Sequence, residues 1–180
     1  ALHSDIALLN NVNGSVLGHG GKQLRPMMSL LSAKACGEVN RDSVLYAAAA
    51  ELLHNATLMH DDVADESRFR RGTPTLSARI GPSSAVLVGD FWLARAVEMV
   101  LNAKSNDKVV SLFSKTLTDL AEGEMLQLEK ALSADTVEED YYRIIYCKTA
   151  SLFESAVVSG AVSVGAPETY REAVGSYARA

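Results

Sequence analysis

Residues 60–66 read His60-Asp61-Asp62-Val63-Ala64-Asp65-Glu66, an acidic run that follows the apolar segment 45–59. On a helix, Asp61 and Asp65 share a face about one turn apart, because they are four residues apart. Two carboxylates at this spacing repel each other unless a cation lies between them. Mg²⁺ commonly takes one or two carboxylates together with substrate phosphates. The run therefore predicts a helix end that binds Mg²⁺; the alternative is a solvated acidic helix end.

Arginines follow this acidic run directly, at positions 68, 70 and 71. Arginine is the side chain best shaped for bidentate contact with phosphate. Carboxylates for a metal beside arginines for phosphate indicate a diphosphate that is held through Mg²⁺. The acidic run also closes an apolar helix, so it would lie at the mouth of a core rather than on an isolated surface.

A second basic motif lies upstream, where Gly-Gly-Lys-Gln-Leu-Arg-Pro spans residues 20–26. It places Lys22 and Arg25 across the start of a predicted helix. Helix N-termini attract anions through their free N–H groups and the helix dipole. The motif therefore favours an anion site, although a flexible loop with exposed cations would have the same composition.

Three further residues are candidates for ligand binding, and each also has an ordinary structural interpretation. His54 lies seven residues before Asp61, about 10 Å along the same helix face, and is either a ligand or a core histidine. Lys148 lies in an apolar segment, where burial is costly unless an anion pairs with it; it would otherwise extend its amine to the surface. Gln127 could equally belong to an ordinary polar helix face.

The composition predicts an all-α fold. The chain has 180 residues, 48% of them hydrophobic, with only 12 glycines and 4 prolines. This suits one domain with a sizeable core of long helices. Periodicity and breakers predict helices over about 25–36, 42–65, 83–104, 106–132 and 136–164, and a further one from 167, with no strand. We expect a bundle of long, mostly antiparallel helices around a central apolar cavity.

Several classes of function are disfavoured. The formal net charge of −5 argues against a nucleic-acid surface. The longest apolar stretch, residues 45–53, is short and contains Glu51, so no membrane span is predicted. Cys36 and Cys147 form no CxxC pair, which leaves neither a zinc site nor a disulfide framework. Reduced thiols fit a cytoplasmic protein.

Taken together, these residues resemble the trans-isoprenyl diphosphate synthases from Gly21 to at least Gly160. The matching motifs are Gly-Lys-Gln-Leu-Arg-Pro (21–26), Glu-Leu-Leu-His (51–54), Asp-Asp-x-x-Asp (61–65) with Arg-Arg-Gly (70–72), Gly-Asp (89–90), Gly-Glu-Met-Leu-Gln (123–127) and Lys-Thr-Ala (148–150). Each motif is weak alone, and their order and spacing are specific. The resemblance implies Mg²⁺-dependent condensation of isopentenyl diphosphate with an allylic prenyl diphosphate, and a homodimer.

The resemblance also implies a role for each matching residue. Catalysis would depend on Asp61, Asp65, Arg70 and Lys148. Isopentenyl diphosphate would be held by Lys22, Arg25, His54 and Arg71, and the allylic diphosphate by Arg70, Lys148, Thr149 and Gln127. The metal ligands would be Asp61 and Asp65, with Asp62 as close support.

Product length would depend on Ala56 and Thr57, which precede Asp61 by five and four residues and are both small. In this family a bulky aromatic at these positions blocks the growing tail and gives short products. Its absence implies a long-chain product of about seven to ten isoprene units, typical of quinone side chains by analogy. A short-chain synthase is the alternative, as is the interpretation that Ala56 is only a good helix former.

One departure from the family is that residues 1–180 contain no second Asp-rich motif. The sequence could therefore be a piece of a longer enzyme or a non-catalytic subunit of a heteromeric synthase, and the intact first motif favours the former. As printed, it should be inactive or nearly so. Two other classes are alternatives. An HD-type metal phosphohydrolase needs further histidines and an aspartate downstream, and a terpene cyclase does not need the second diphosphate implied by Lys22, Arg25 and Arg71.

Overall fold

The computed structural model describes residues 2–18 and 21–180, which are overwhelmingly helical. The helices are α1 (Ala7–Gly18), α2 (Leu24–Cys36), α3 (Arg41–Ala64), α4 (Leu76–Ile80), α5 (Pro82–Leu101), α6 (Asn106–Ser133), α7 (Glu138–Ile145), α8 (Ser151–Ser163) and α9 (Glu168–Arg179), with a π-helical turn over Tyr146–Ala150 and a two-stranded hairpin of β1 (Phe69–Arg70) and β2 (Thr73–Pro74). The predicted all-α class is confirmed. No helix within the described ranges combines the length and apolarity needed to cross a membrane.

Helix α3 is the central element of the bundle. Its 24 residues make it about 36 Å long, and it packs against α2, α5 and α8. Its buried side chains include Tyr46 and Leu53, which meet Trp92 of α5 and Leu152 of α8 in one core. Because α3 is apolar on most sides, the bundle encloses it and brings its acidic C-terminal end to the rim.

The N-terminal end of α3 is fixed by hydrogen bonds to α8. The Asn40 side chain accepts from the backbone N–H of Ser43 at 3.1 Å and donates to the carbonyl of Ser163 at 2.8 Å. The hydroxyls of Ser43 and Ser163 also lie 2.6 Å apart in the buried interface. This cap both starts the helix and ties it to its neighbour.

Helices α2 and α8 approach each other very closely. Gly160 of α8 lies against the backbone of Ser29 on α2, and a Cβ built at Gly160 would be 2.0 Å from the Ser29 carbonyl oxygen. Only a residue without a side chain fits at that distance. Glycine at 160 therefore sets the spacing of this helix pair.

Two helices and the hairpin were not predicted from the sequence. Helix α1 is rich in Asn, Gly and Ser, which are poor helix formers, and it is held by a buried hydrogen bond of 2.8 Å from Trp92 Nε1 to Asn13 Oδ1. Helix α4 has only five residues. The expectation of no strand was wrong for β1 and β2, whose two residues each are too few for a visible alternation.

The predicted helix over 136–164 needs two corrections. It begins at Glu138, two residues after the expected start at 136, and the Asp140 carboxylate accepts from the Val137 N–H at 3.2 Å. It is also interrupted by the π-turn Tyr146–Ala150, which widens the helix before α8 starts. Such wide turns are frequent at functional sites.

Candidate functional site

A cavity of about 580 Å³ opens where α3 meets the start of α2, the hairpin and α4. Six basic side chains line it, and we call them the cationic pocket: Lys22, Arg25, His54, Arg70, Arg71 and Arg79. Among the described lining residues, Glu51 and Asp62 are the acidic ones. Even with His54 neutral, cations outnumber carboxylates, so the pocket suits an anion with several negative charges.

The hairpin positions two of these arginines. Arg71 and Gly72 form its turn, both with positive φ (52° and 78°), and Arg70 pairs with Thr73. Turns with two left-handed residues match the twist of a two-residue hairpin. Left-handed backbone is unfavourable for arginine, and such strain clusters at ligand-binding sites. The Arg71 guanidinium lies beside Gly21, whose Cβ, if present, would be 3.3 Å from Nη1.

Asp62 holds Arg70 in place. The Arg70 Nε donates to Asp62 Oδ1 at 2.8 Å, and the Asp62 side chain is only 9% exposed. A buried carboxylate bound to one edge of the guanidinium leaves its other N–H groups for a ligand. Asp62 therefore supports an arginine of the cationic pocket.

His54 is half-buried on the α3 face of the cationic pocket. Burial, and then the charges of Arg25, Arg71 and Arg70, lower the pKa of His54 to about 4. The ring is thus neutral at physiological pH until an anion binds. A diphosphate beside it would raise that pKa again by favouring the imidazolium.

This shift predicts a pH dependence of stability. Because the folded pKa of His54 lies below its unfolded value of about 6.5, the unfolded chain binds more protons between the two values. The free energy of unfolding should therefore fall as pH drops from about 6.5 to about 4, by less than the single-proton limit of about 1.4 kcal/mol per pH unit. The measurement is urea unfolding of wild type and His54→Gln across this range.

The difference between the two pH profiles isolates His54, since the other titrating groups are common to both proteins. The wild type should lose more stability towards low pH than His54→Gln. Parallel profiles would contradict the shift.

Asp61 is half-buried near the C-terminal end of α3 and is not among the residues that line the cavity, whereas His54 is. Burial raises the pKa of Asp61 to about 6, and the negative charges of Glu124 and Asp65 add to this, against the opposing charges of Lys148 and Arg70. Asp61 is therefore near both an α6 carboxylate and cations from two elements. Asp65 is exposed and caps the C-terminal end of α3.

The π-turn carries Lys148 to α6. Its Nζ lies 2.7 Å from a carboxylate oxygen of Glu124 and donates to Gln127 Oε1 at 2.8 Å. A Cβ at Gly123 would be 2.7 Å from the Cβ of Cys147, so glycine lets the π-turn pack onto α6. Lys148 is thus a half-buried, paired lysine, and Thr149 beside it is exposed.

Sequence reasoning missed two residues of this site. Glu124 was part of a motif but had no assigned role, because its pairing with Lys148 arises only when α6 meets the π-turn. Arg79 lies on α4, which was not predicted, and its Nη1 donates to Ser15 Oγ at 2.8 Å. No sequence signal at Arg79 would have distinguished it from a surface arginine.

The two chain-length candidates lie apart from the cationic pocket. Ala56 is completely buried in the core of the bundle. Thr57 is half-buried, and its hydroxyl donates to the carbonyl of His54 at 2.9 Å. Neither lines the cavity that holds the basic residues, so any effect on product length would arise from the apolar interior.

The residues at the rim fit a hard divalent cation whose shell is completed by a ligand. Within the described ranges, no cluster of three or more His, Cys, Asp or Glu side chains could hold a metal ion alone. Mg²⁺ does not need one, since it takes one or two carboxylates, substrate phosphates and water. Burial, and then the negative charges of Glu124 and Asp65, raise the pKa of Asp61, and a cation beside this carboxylate would favour its charged form.

Comparison with known proteins identifies the family. The polyprenyl synthetase family model matches residues 6–180. The chain belongs to the polyprenyl synthetase family. This confirms the resemblance drawn from the motifs and sets aside the metal phosphohydrolase alternative.

Two similar proteins are named for long-chain products. An all-trans-nonaprenyl-diphosphate synthase (geranyl-diphosphate specific) of Rhodobacter capsulatus is 45% identical over 178 residues, covering 98% of this chain and 54% of that protein. Octaprenyl diphosphate synthase of Escherichia coli K12 is 41% identical over 178 residues, covering 99% and 55%. The chain thus spans about half the length of the curated relatives it matches.

A solved polyprenyl synthase has the same fold. The crystal structure of the Caulobacter crescentus CB15 enzyme, complexed with calcium and isoprenyl diphosphate, superposes with a TM-score of 0.92 at 37% identity. The match covers 99% of this chain and 54% of that one. The described residues therefore form the corresponding part of an isoprenoid synthase-type helical bundle.

Proposed function

We propose that this chain serves trans-polyprenyl diphosphate synthesis, the Mg²⁺-dependent head-to-tail condensation of isopentenyl diphosphate with an allylic diphosphate to give a long-chain product. One observation carries this proposal: Asp61 interacts electrostatically both with Arg70 of the cationic pocket and with Lys148 of the π-turn. The cationic pocket on one side of the acidic helix end and Lys148 on the other suit two diphosphates. A terpene cyclase, which holds one, would not need the cationic pocket.

Asp61 and Asp65 would hold the metal, which when bound supplies positive charge to the diphosphate leaving group. Arg70 and Lys148 would neutralise charge that develops there as the C–O bond breaks. The cationic pocket would hold isopentenyl diphosphate so that its double bond attacks the allylic cation. A new C–C bond forms and a proton is lost to the departing diphosphate. No nucleophilic side chain is required.

The apolar interior of the bundle would exclude water from the cation and receive the growing tail. Burial contributes about 0.8 kcal/mol per CH₂, so each five-carbon unit gains roughly 3–4 kcal/mol. Tail binding therefore favours continued elongation until the available depth is filled. The long-chain names of the relatives support a deep interior in this protein.

We further propose that residues 1–180 form one helical domain, that activity also needs the second Asp-rich motif absent from them, and that the protein is a cytoplasmic homodimer. The chain spans only about half the length of the relatives, which supports the need for a further motif. A non-catalytic subunit is disfavoured because the first Asp-rich motif is intact and the charges of Arg70 and Lys148 both act on Asp61.

The test is product analysis of the complete protein with farnesyl diphosphate, radiolabelled isopentenyl diphosphate and Mg²⁺. Polyprenyl diphosphates much longer than the primer are expected, and chelation of the metal should stop their formation. Phosphate release without a prenyl product would contradict the proposal. Activity restored only by a partner chain would identify a heteromeric synthase instead.

Product length gives a graded prediction along α3. Ala56→Phe should shorten the product, because an aromatic ring near Asp61 fills the space that the tail would enter. Ala49, also fully buried, lies seven residues earlier and about 10 Å further from the rim on the same face. Ala49→Phe should therefore stop the tail later and give a longer product than Ala56→Phe. Chromatography of dephosphorylated products measures both.

Overpacking destabilises both variants to a similar degree, so the comparison between them controls for loss of fold. Products of equal length from the two variants would show that this face of α3 does not limit how far the prenyl tail enters the bundle.

A further inference from the structure

The guanidinium of Arg25 lies on the face of an aromatic ring. Its Cζ is 4.3 Å from the ring centroid of Phe153, well inside the range of a cation–π contact. Arg25 lies in the first turn of α2, and Phe153 in the first turn of α8. The contact therefore joins two helices at the edge of the cationic pocket.

Arg25 has few other contacts to fix its orientation. Its Nε is buried and has no hydrogen-bond partner, and no ion pair is formed by Arg25 within the described ranges. Glu51 contributes only a longer-range charge interaction. Buried polar groups are normally paired, so the Nε lacks a hydrogen bond that would hold the guanidinium, and the ring of Phe153 is the contact that fixes its plane.

Phe153 itself is not among the residues that line the cavity, whereas Arg25 is. An effect of the ring on a ligand would therefore pass through Arg25. A stacked guanidinium retains its in-plane N–H groups for a bidentate contact with phosphate, since the ring occupies only its face.

We propose that Phe153 is a positioning residue for isopentenyl diphosphate: it holds the guanidinium of Arg25 edge-on to the cationic pocket. This inference rests on the proposed function of that pocket. It assigns a binding role to a residue that is outside the cavity and outside every motif quoted for the family.

The test is the affinity of the complete protein for isopentenyl diphosphate, measured by calorimetry. Phe153→Leu keeps an apolar side chain but removes the aromatic face, and should raise Kd about five- to ten-fold. Phe153→Tyr keeps the face and should bind as the wild type does. The matched control is Phe91→Leu, where the ring lies 6.0 Å from Arg95 Cζ, outside the cavity; its Kd should be unchanged.

A double-mutant cycle separates positioning from a general effect on the fold. In an Arg25→Ala background, Phe153→Leu should have little further effect on Kd. The inference would be overturned if Phe153→Leu had the wild-type Kd. It would also be overturned if Phe153→Leu raised Kd by the same factor with and without Arg25. If the wild-type chain binds inorganic diphosphate but not isopentenyl diphosphate, the proposed function fails, and the same cycle with diphosphate still decides the role of Phe153.

Discussion

Asp61→Asn is expected to lower kcat/KM for chain elongation about 10²–10³-fold, the loss typical of one preorganised electrostatic contact to a leaving group. Asn keeps the size of the side chain but removes the charge that would hold the metal beside Asp65. Because Asp61 is half-buried and crowded by carboxylates, the substitution should leave the unfolding midpoint unchanged or raise it. Loss of activity without loss of stability is the expected signature.

The measurement is incorporation of labelled isopentenyl diphosphate by the complete protein over a range of Mg²⁺ concentrations. Asp135→Asn is the matched control, because Asp135 is 64% exposed and pairs with Lys130 just beyond the C-terminal end of α6; it should retain wild-type activity. Removal of one such contact usually costs far more than about three-fold in rate. If kcat/KM of Asp61→Asn stayed within about three-fold of the wild-type value, Asp61 would not bind the metal.

Gly160→Ala is expected to destabilise the protein by about 3 kcal/mol, at the upper end of overpacking costs. The added methyl would lie 2.0 Å from the Ser29 carbonyl, a backbone atom that cannot rotate away. Helices α2 and α8 would have to separate, which would also disturb the stacking of Arg25 on Phe153. A lower urea midpoint with an unchanged m-value is the expected result.

The control is Gly14→Ala in α1, where a Cβ would meet nothing within 4 Å. This change should stabilise the protein by about 0.5–1 kcal/mol, since alanine is the better helix former. If Gly160→Ala were also stabilising, the close approach of α2 and α8 would be wrong.

The long helices and the acidic C-terminal end of α3 could be predicted from the sequence. The apolar pattern of α3 and the spacing of Asp61 and Asp65 depend only on helical geometry, so their placement needed no tertiary information. The convergence of Lys22 and Arg25 with Arg70 depended on the family resemblance, because the segments are some forty residues apart in the printed sequence.

Other features depend on contacts that no local pattern encodes. Helix α1 forms despite poor propensity because Trp92 bonds to Asn13, and tertiary contacts routinely override propensity. The role of Glu124 follows from a lysine on a different helix. The stacking of Arg25 on Phe153 joins residues 128 positions apart, which spacing alone could not indicate.

The π-turn at Tyr146–Ala150 also restricts which kinds of mutation this gene segment can accept. Losing the codon of Thr149 or Ala150 would restore an ordinary α-helix and keep α8 in register, but it would rotate Lys148 by about 100° relative to α8. The amine would then leave Glu124 and Gln127. Single-codon deletions in this turn should therefore be removed by selection even when the encoded protein still folds, whereas conservative substitutions at the same positions persist.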